Sequence, residues 1–252
     1  MPRTQENIDV SRRETEFFDS LVEQIGDFNP FTQRAWNTLR KRFAQMAANG
    51  TALSSMNILD VGCGTGQSFQ IYADYAKSFT GVDLSERERD KARTRFPLAR
   101  WIHADACDLP FSPDTFDAVC FSGVLHHIPD FAPAIREAHR VLRRGGKAFA
   151  YDPNLRHPAM ALFRWPKSPL YNPKGVSPNE RPLLPRVLRR AFLEAGFQNV
   201  RQRCQGDLPY REVAPKLINA CLSMYNAGEW VMARMQLDRI FGTLTLTVAE
   251  KL

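Results

Sequence analysis

The ten residues Asn57-Ile58-Leu59-Asp60-Val61-Gly62-Cys63-Gly64-Thr65-Gly66 constrain the fold more than any other part of the chain. Ile58, Leu59 and Val61 form a short apolar run of the kind a buried parallel strand requires. Three glycines at alternate positions follow at once, so the strand ends in a turn. Its backbone can adopt dihedrals closed to other residues and can approach a ligand closely. Phe69, Ile71, Tyr72 and Tyr75 then recur in a loose helical pattern, which predicts a helix over 67–76 opening from the turn. Its first N–H groups, which have no partner inside the helix, face whatever occupies the turn.

The next segments repeat this logic. Phe79-Thr80-Gly81-Val82-Asp83 reads as a second strand, ending in a carboxylate roughly 20 residues beyond the glycines, where open α/β sheets place the group that binds ribose hydroxyls. Ser85 and Glu88 form a capping box that starts a helix directly behind it. Trp101–Ala106 supplies a third strand tip with Asp105, and Phe116–Ser122 a fourth. A glycine turn with a ribose carboxylate also suits a nicotinamide-dependent oxidoreductase. The GCGTG spacing in place of G-x-G-x-x-G and the additional carboxylate Asp105 count against that alternative.

The motifs LDVGCGTG (59–66), GVDLS (81–85), HADACDLPFSPDTFDAV (103–119), SGVLHHIPD (122–130) and VLRRGGK (141–147) carry a family resemblance. Over roughly residues 55–150 the chain closely resembles the class I S-adenosylmethionine-dependent methyltransferases, in the branch similar to ubiquinone/menaquinone-biosynthesis C-methyltransferases. The resemblance implies an α/β fold, a doubly wound seven-stranded, mostly parallel sheet whose last strand is antiparallel, with S-adenosyl-L-methionine as cofactor. It implies that Asp60 and the turn residues Gly62, Cys63, Gly64 and Gly66 hold the methionine part. Asp83, followed by Leu84, is then the ribose ligand, Asp105 with Ala106 borders the adenine, and Ser122 lies beside the cofactor. The loop carrying His126 and His127 is implied to lie beside the transferable methyl group. Either imidazole could remove a proton from an acceptor, with a rate rising near the ordinary imidazole pKa, or simply fix the loop. His126 is the better candidate for a base.

Around this core, Ser11 and Glu14 read as a capping box before a helix over about 12–25, with Phe17, Phe18, Leu21, Val22 and Ile25 as its apolar stripe. A second helix carries Ala35, Leu39, Phe43 and Met46 and is expected to end at Asn49-Gly50. The resemblance implies that these N-terminal helices close over the cofactor. Asp130 is placed as the cap of a helix running to Gly145-Gly146, and a fifth strand follows from Lys147 to Tyr151. Eight of the 17 prolines lie between Pro153 and Pro185, among Phe163, Trp165 and Tyr171, so 152–185 is a candidate lid over the acceptor. A helix from Pro185 to Gly196 and a sixth strand over 197–204 come next. Leu244, Leu246 and Val248 alternate with threonines, which predicts a half-exposed last strand. Between these strands, 206–239 is read as an insertion of two helices that covers the substrate, supports a dimer or meets a membrane surface, with simple packing as the default. The whole of 1–252 is expected to be one domain.

The formal net charge of +7 and pI near 9.3 permit a nucleic-acid partner. The cluster Arg181, Arg186, Arg189, Arg190, Arg201 and Arg203 fits better with a solvated helix face and a basic strand edge, or with an anionic small-molecule acceptor. No amino-methylation motif follows the fourth strand, which also disfavours nucleic acid. Five cysteines without paired spacing point to reduced thiols and a cytoplasmic protein. No run is long and apolar enough for a transmembrane segment. Asp130, Asp152 and Asn154 are explained by turns and caps, so no metal is expected. The reading is an enzyme, monomer or homodimer, that methylates a small-molecule acceptor, with oxygen slightly preferred over carbon or nitrogen. The other class to weigh is a catalytically idle binding protein of the same fold.

Overall fold

The computed structural model describes residues 5–26, 29–47, 55–171, 173, 176–211 and 222–252. Seven strands, β1 (Met56–Val61), β2 (Ala76–Asp83), β3 (Arg100–His103), β4 (Phe116–Ser122), β5 (Leu142–Pro153), β6 (Gln198–Gln205) and β7 (Leu244–Glu250), form one sheet. Its order is β3-β2-β1-β4-β5-β7-β6. The first five strands are parallel, and β7 inserts antiparallel between β5 and β6. The chain reverses direction across the sheet at β1, and ligands of such sheets bind beyond the carboxyl ends of the strands at that point.

Strand alternation divides the core. Ile58, Cys120 and Phe149 face one layer, where α2 (Gln33–Met46) contributes Trp36, Leu39 and Phe43. Leu59, Val61, Val119 and Phe121 face the other, against α5 (Ala132–Val141) and α6 (Pro185–Glu194). Asp60 therefore lies on the α2 side of β1, pointing with Ile58 rather than Leu59. Registry places the tips side by side: Val61 pairs with Val82 and Phe121, Asp83 with His103, and Ser122 with Tyr151.

Several expected boundaries move. Helix α1 runs Gln5–Ile25 rather than from about residue 12, so Ser11 and Glu14 lie inside it and form no cap. The helix after the glycine turn is only α3 (Phe69–Tyr72), tightening into a 3-10 turn at Ala73–Tyr75, because β2 already begins at Ala76, paired with Met56. By contrast α4 (Glu86–Arg95) is capped as expected, Ser85 Oγ accepting the Glu88 N–H at 3.0 Å. The cap of α5 is Phe131, not Asp130, whose carboxylate instead accepts the Ala132 N–H at 3.3 Å. That helix ends at Val141 because Leu142 is already extended and pairs with Phe116; Gly145, at φ 78°, lies in an irregular stretch of β5. Strand β7 is buried on both faces instead of half-exposed, since it is central in the sheet; Thr247 accepts from Gln202 and Thr243 donates to Glu229. Helices α7 (Leu222–Arg234) and α8 (Asp238–Phe241) occupy the second part of the insertion. Leu217, Ile218 and Cys221 of the first expected helix, and the Asn49-Gly50 cap, lie outside the described residues.

Candidate functional site

The turn after β1 owes its shape to its glycines. Gly62, Gly64 and Gly66 have φ of 70°, 49° and 77°, the left-handed region that penalises other residues. Gly62 and Cys63 donate their N–H groups to Val82 O at 2.9 and 3.0 Å, clamping the turn onto β2. A Cβ on Gly62 would lie 2.2 Å from Val124, and one on Gly66 2.9 Å from Trp101. Asp83 accepts the Gly64 N–H at 2.9 Å on one oxygen and the Ser85 N–H at 2.9 Å on the other. Burial raises the Asp83 pKa, opposed by these N–H groups and by Arg89.

Beneath the turn, Asp60 is wholly buried. One oxygen accepts from Ser122 Oγ at 2.6 Å and the other from Ser68 Oγ; Tyr72 OH lies 2.8 Å from Ser122 Oγ. Burial pushes the Asp60 carboxyl up to about 7 against those two hydroxyls. The chain Tyr72–Ser122–Asp60–Ser68 thus ties the turn to the tip of β4. Cys63 is buried, its Sγ 2.8 Å from where a Cβ on Gly81 would lie, so it faces the core and presents only backbone to the turn. Asp105 accepts the Cys107 N–H at 2.8 Å just past β3, with Ala106 packed on the α5-side core. Leu84 is half-buried between Asp83 and the Ser85 cap.

The two histidines occupy a 3-10 turn, Leu125–His127, and their environments differ. His126 is buried, and both its backbone N–H (3.1 Å) and its Nδ1 (2.9 Å) meet Asp152 Oδ1 at the end of β5. Its Nε2 has no hydrogen-bond partner among the described residues. Burial and the neighbouring His127 hold its pKa well below the usual imidazole range, while burial pushes Asp152 up to about 8. Both shifts express one fact: the interior disfavours net charge on this pair.

His127 is bound instead to α1. Its Nδ1 lies 2.8 Å from Glu14 Oε1 and 2.8 Å from Ser177 Oγ. Burial alone would lower its pKa, but the Glu14 bond and the charge of Glu180 raise it, and His127 in turn lowers Glu14. Asn179 donates to Glu14 Oε2 from its side chain at 2.8 Å and its backbone at 3.2 Å. The far half of α1 reaches the start of α4, where Asp19 accepts from Ser85 Oγ at 2.5 Å and Glu23 pairs with Arg87. Helix α1 is therefore a strap fastened to the His127 loop by Glu14 and to the start of α4 by Asp19.

The structure brings the expected residues 60–66, 83–84 and 122 together at the carboxyl ends of β1, β2 and β4, with His126 and His127 in the turn that follows β4. Sequence reasoning missed Glu14, Ser177 and Asn179, and read Asp152 as a turn former. The signal for Asp152 was available: it is a carboxylate at the tip of the next strand. Asn154 is engaged by the Ile240 and Gly242 carbonyls at 3.2 and 2.8 Å. Arg189 and Arg201 line one surface pocket with Leu193, Asn199, Val200 and Glu250. Arg186, Arg189 and Arg190 are exposed on α6, Arg181 donates to Pro129 O and Arg201 to Met46 O.

Residues 59–150 match the family model described as a methyltransferase domain. The O-methyltransferase cnsE of Penicillium expansum is 28% identical over 224 residues, covering 78% of this chain and 78% of the relative. An uncharacterized methyltransferase of Synechocystis is 30% identical, covering 64% of this chain and 76% of that protein. Among solved structures, a SAM-dependent methyltransferase from Thermotoga maritima aligns over 96% of this chain and 100% of its own with a TM-score of 0.61, at 16% identity, a likeness of fold.

Proposed function

Because this chain belongs to the class I S-adenosylmethionine-dependent methyltransferases, we propose that it methylates an oxygen of a small-molecule acceptor, with His126 as the base. The chain is an enzyme whose cofactor is S-adenosyl-L-methionine, and family membership sets the nicotinamide alternative aside. The residues present fit that cofactor: a turn held open by three left-handed glycines, and Asp83 and Asp105 at adjoining strand tips. In this reading Asp83 would hold the ribose hydroxyls and Asp105 with Ala106 the adenine edge. Gly62–Gly66 would hold the methionine part, with Asp60 supporting the turn from below.

When bound, S-adenosylmethionine supplies a methyl group on a sulfonium, already an activated leaving group. Positioning of the acceptor and exclusion of water under the α1 strap then account for most of the rate gain, which for well-held reactants is about 7–11 kcal/mol. A base is needed only for an acceptor that arrives protonated, such as a hydroxyl. The observation that supports this role for His126 is its bond to Asp152. With Asp152 ionised, Nδ1–H donates to the carboxylate and Nε2 carries the free lone pair. The acceptor's proton ends on Nε2, and the resulting imidazolium is neutralised by Asp152. The name of the fungal relative, an O-methyltransferase, supports oxygen.

Asp152 protonated would instead donate to Nδ1, leaving the ring proton on Nε2 and the base blocked. Since burial pushes Asp152 up to about 8, the rate should rise through about 8 rather than through the ordinary imidazole value. Turnover of a panel of phenols and hydroquinones tests this. His126→Ala should lower turnover about a hundredfold or more with cofactor affinity unchanged, and Asp152→Asn should remove the pH step. Normal turnover of His126→Ala across the pH range would reduce the imidazole to a loop support. Cofactor binding with no acceptor methylated would favour an idle binding protein.

A further inference from the structure

Helix α7 leaves much of its apolar surface exposed. Glu229, 1% exposed, bonds His157 Nε2 at 2.5 Å and Thr243 Oγ1 at 2.7 Å, and Asn226 holds the Tyr210 backbone at 3.1 and 3.2 Å, while Leu222 and Tyr225 pack on the core beside them. Other large apolar side chains of this segment face outward. Met224 is 72% and Met235 64% exposed, with Trp230 and Val231 half-exposed between them. The exposed surface continues onto α8 through Ile240 and Phe241. Large apolar side chains exposed together along one helix and the next mark an interaction site.

Charge on this face is one-sided. Of the four charged residues in 222–241, the two acids Glu229 and Asp238 are buried, and the two exposed ones are Arg234 and Arg239. Arg234 lies over the Trp230 ring at 5.4 Å from its centroid, an arrangement that keeps the guanidinium beside the apolar patch. A symmetric dimer would set this patch against itself and oppose like charges. An anionic surface with an apolar interior satisfies both features, since Trp and Phe suit the headgroup boundary and each arginine gains from the negative potential. The overall charge of +7 acts in the same direction.

We propose that the α7–α8 face docks the protein on an anionic lipid bilayer. The helix lies in the interface and does not span it; among the described residues no helix is long and apolar enough to cross a membrane. The bond from Glu229 to His157 ties the docked face to the segment following β5. This inference rests on the surface alone and holds whatever the acceptor.

Cosedimentation of the full chain with vesicles tests it. Wild-type protein should partition onto phosphatidylglycerol–phosphatidylcholine vesicles and not onto pure phosphatidylcholine, and 0.5 M salt should weaken the partition. Trp230→Ser with Ile240→Ser, and separately Arg234→Ser with Arg239→Ser, should each weaken it on the order of tenfold or more, with cofactor affinity retained. The arginine pair is exposed, so it decides the matter should the apolar pair lower the melting temperature. Absence of wild-type partition, or partition unchanged in the arginine variant, overturns the proposal. So does a dimer in sedimentation velocity that the apolar variant dissociates, which would place a second copy on this face.

Discussion

The cofactor side and the acceptor side of this molecule are held together by different means. Around the glycine turn several bonds are short in sequence, Gly64 N–H to Asp83 spanning 19 residues and Ser68 to Asp60 8, with Ser122 to Asp60 reaching across 62. Around His127 they are longer and made by side chains, His127 to Glu14 spanning 113 and Ser177 to Glu14 163. A local site made from one strand–turn–helix unit can be recognised as a motif and reused with many acceptors. The distant one is specific to this chain. The comparison also separates the two histidines, His126 bonded to Asp152 and His127 fastening α1.

The largest effect should come from breaking the local side at its tightest point. Gly62→Val combines a left-handed backbone with a Cβ 2.2 Å from Val124 Cγ2, so it should cost about 3 kcal/mol or more of stability and abolish measurable cofactor binding. Gly64→Ala is the contrast: its Cβ meets only Glu88 at 3.4 Å, leaving the backbone cost of about 1–2 kcal/mol. Thermal melts in which the two variants fall equally would show that Val124 yields and the turn is less rigid than its geometry implies.

A smaller loss is expected at Asp83, whose proposed ribose bonds are charge-assisted and contribute about 1.5–3 kcal/mol each. Asp83→Ala should therefore weaken the cofactor at least tenfold by calorimetry. Unchanged affinity would remove Asp83 from the ribose and leave it only the Gly64 and Ser85 N–H groups.

The smallest effect should come from unfastening the distant side. Glu14→Gln keeps the shape but loses the charged bond to His127, a change on the order of 1 kcal/mol that should speed cofactor release about fivefold in stopped flow. The His127 pKa is raised, so the fastening is complete below the ordinary imidazole value and is lost as pH rises through the raised one. The difference between wild type and Glu14→Gln should shrink over that rise. A difference independent of pH would mean that Ser177 and Asn179, not the ion pair, hold the strap.

Much of the fold could be read in the chain because each parallel strand announces itself by an apolar run and a turn signal. Strand β4 was placed at its observed bounds, and the antiparallel last strand was expected from the family resemblance. Errors fell where tertiary pairing overrides a local pattern. The threonines of β7 look solvent-facing until the strand is seen between β5 and β6, and Gly145-Gly146 looks like a helix end although Leu142 has already joined the sheet. Ser11 and Glu14 have the spacing of a cap, but Glu14 is used by His127.

The sequence by itself, through its family resemblance, determined the cofactor and the chemistry class, because the motifs that carry the resemblance lie within single strand–turn–helix units. Only the tertiary structure showed that His126 bonds Asp152 whereas His127 bonds Glu14 and Ser177. It also showed that α7 buries Glu229 and leaves Met224, Trp230 and Val231 exposed. Those outcomes depend on burial and on partners far along the chain, and neither is encoded in the spacing of neighbouring residues.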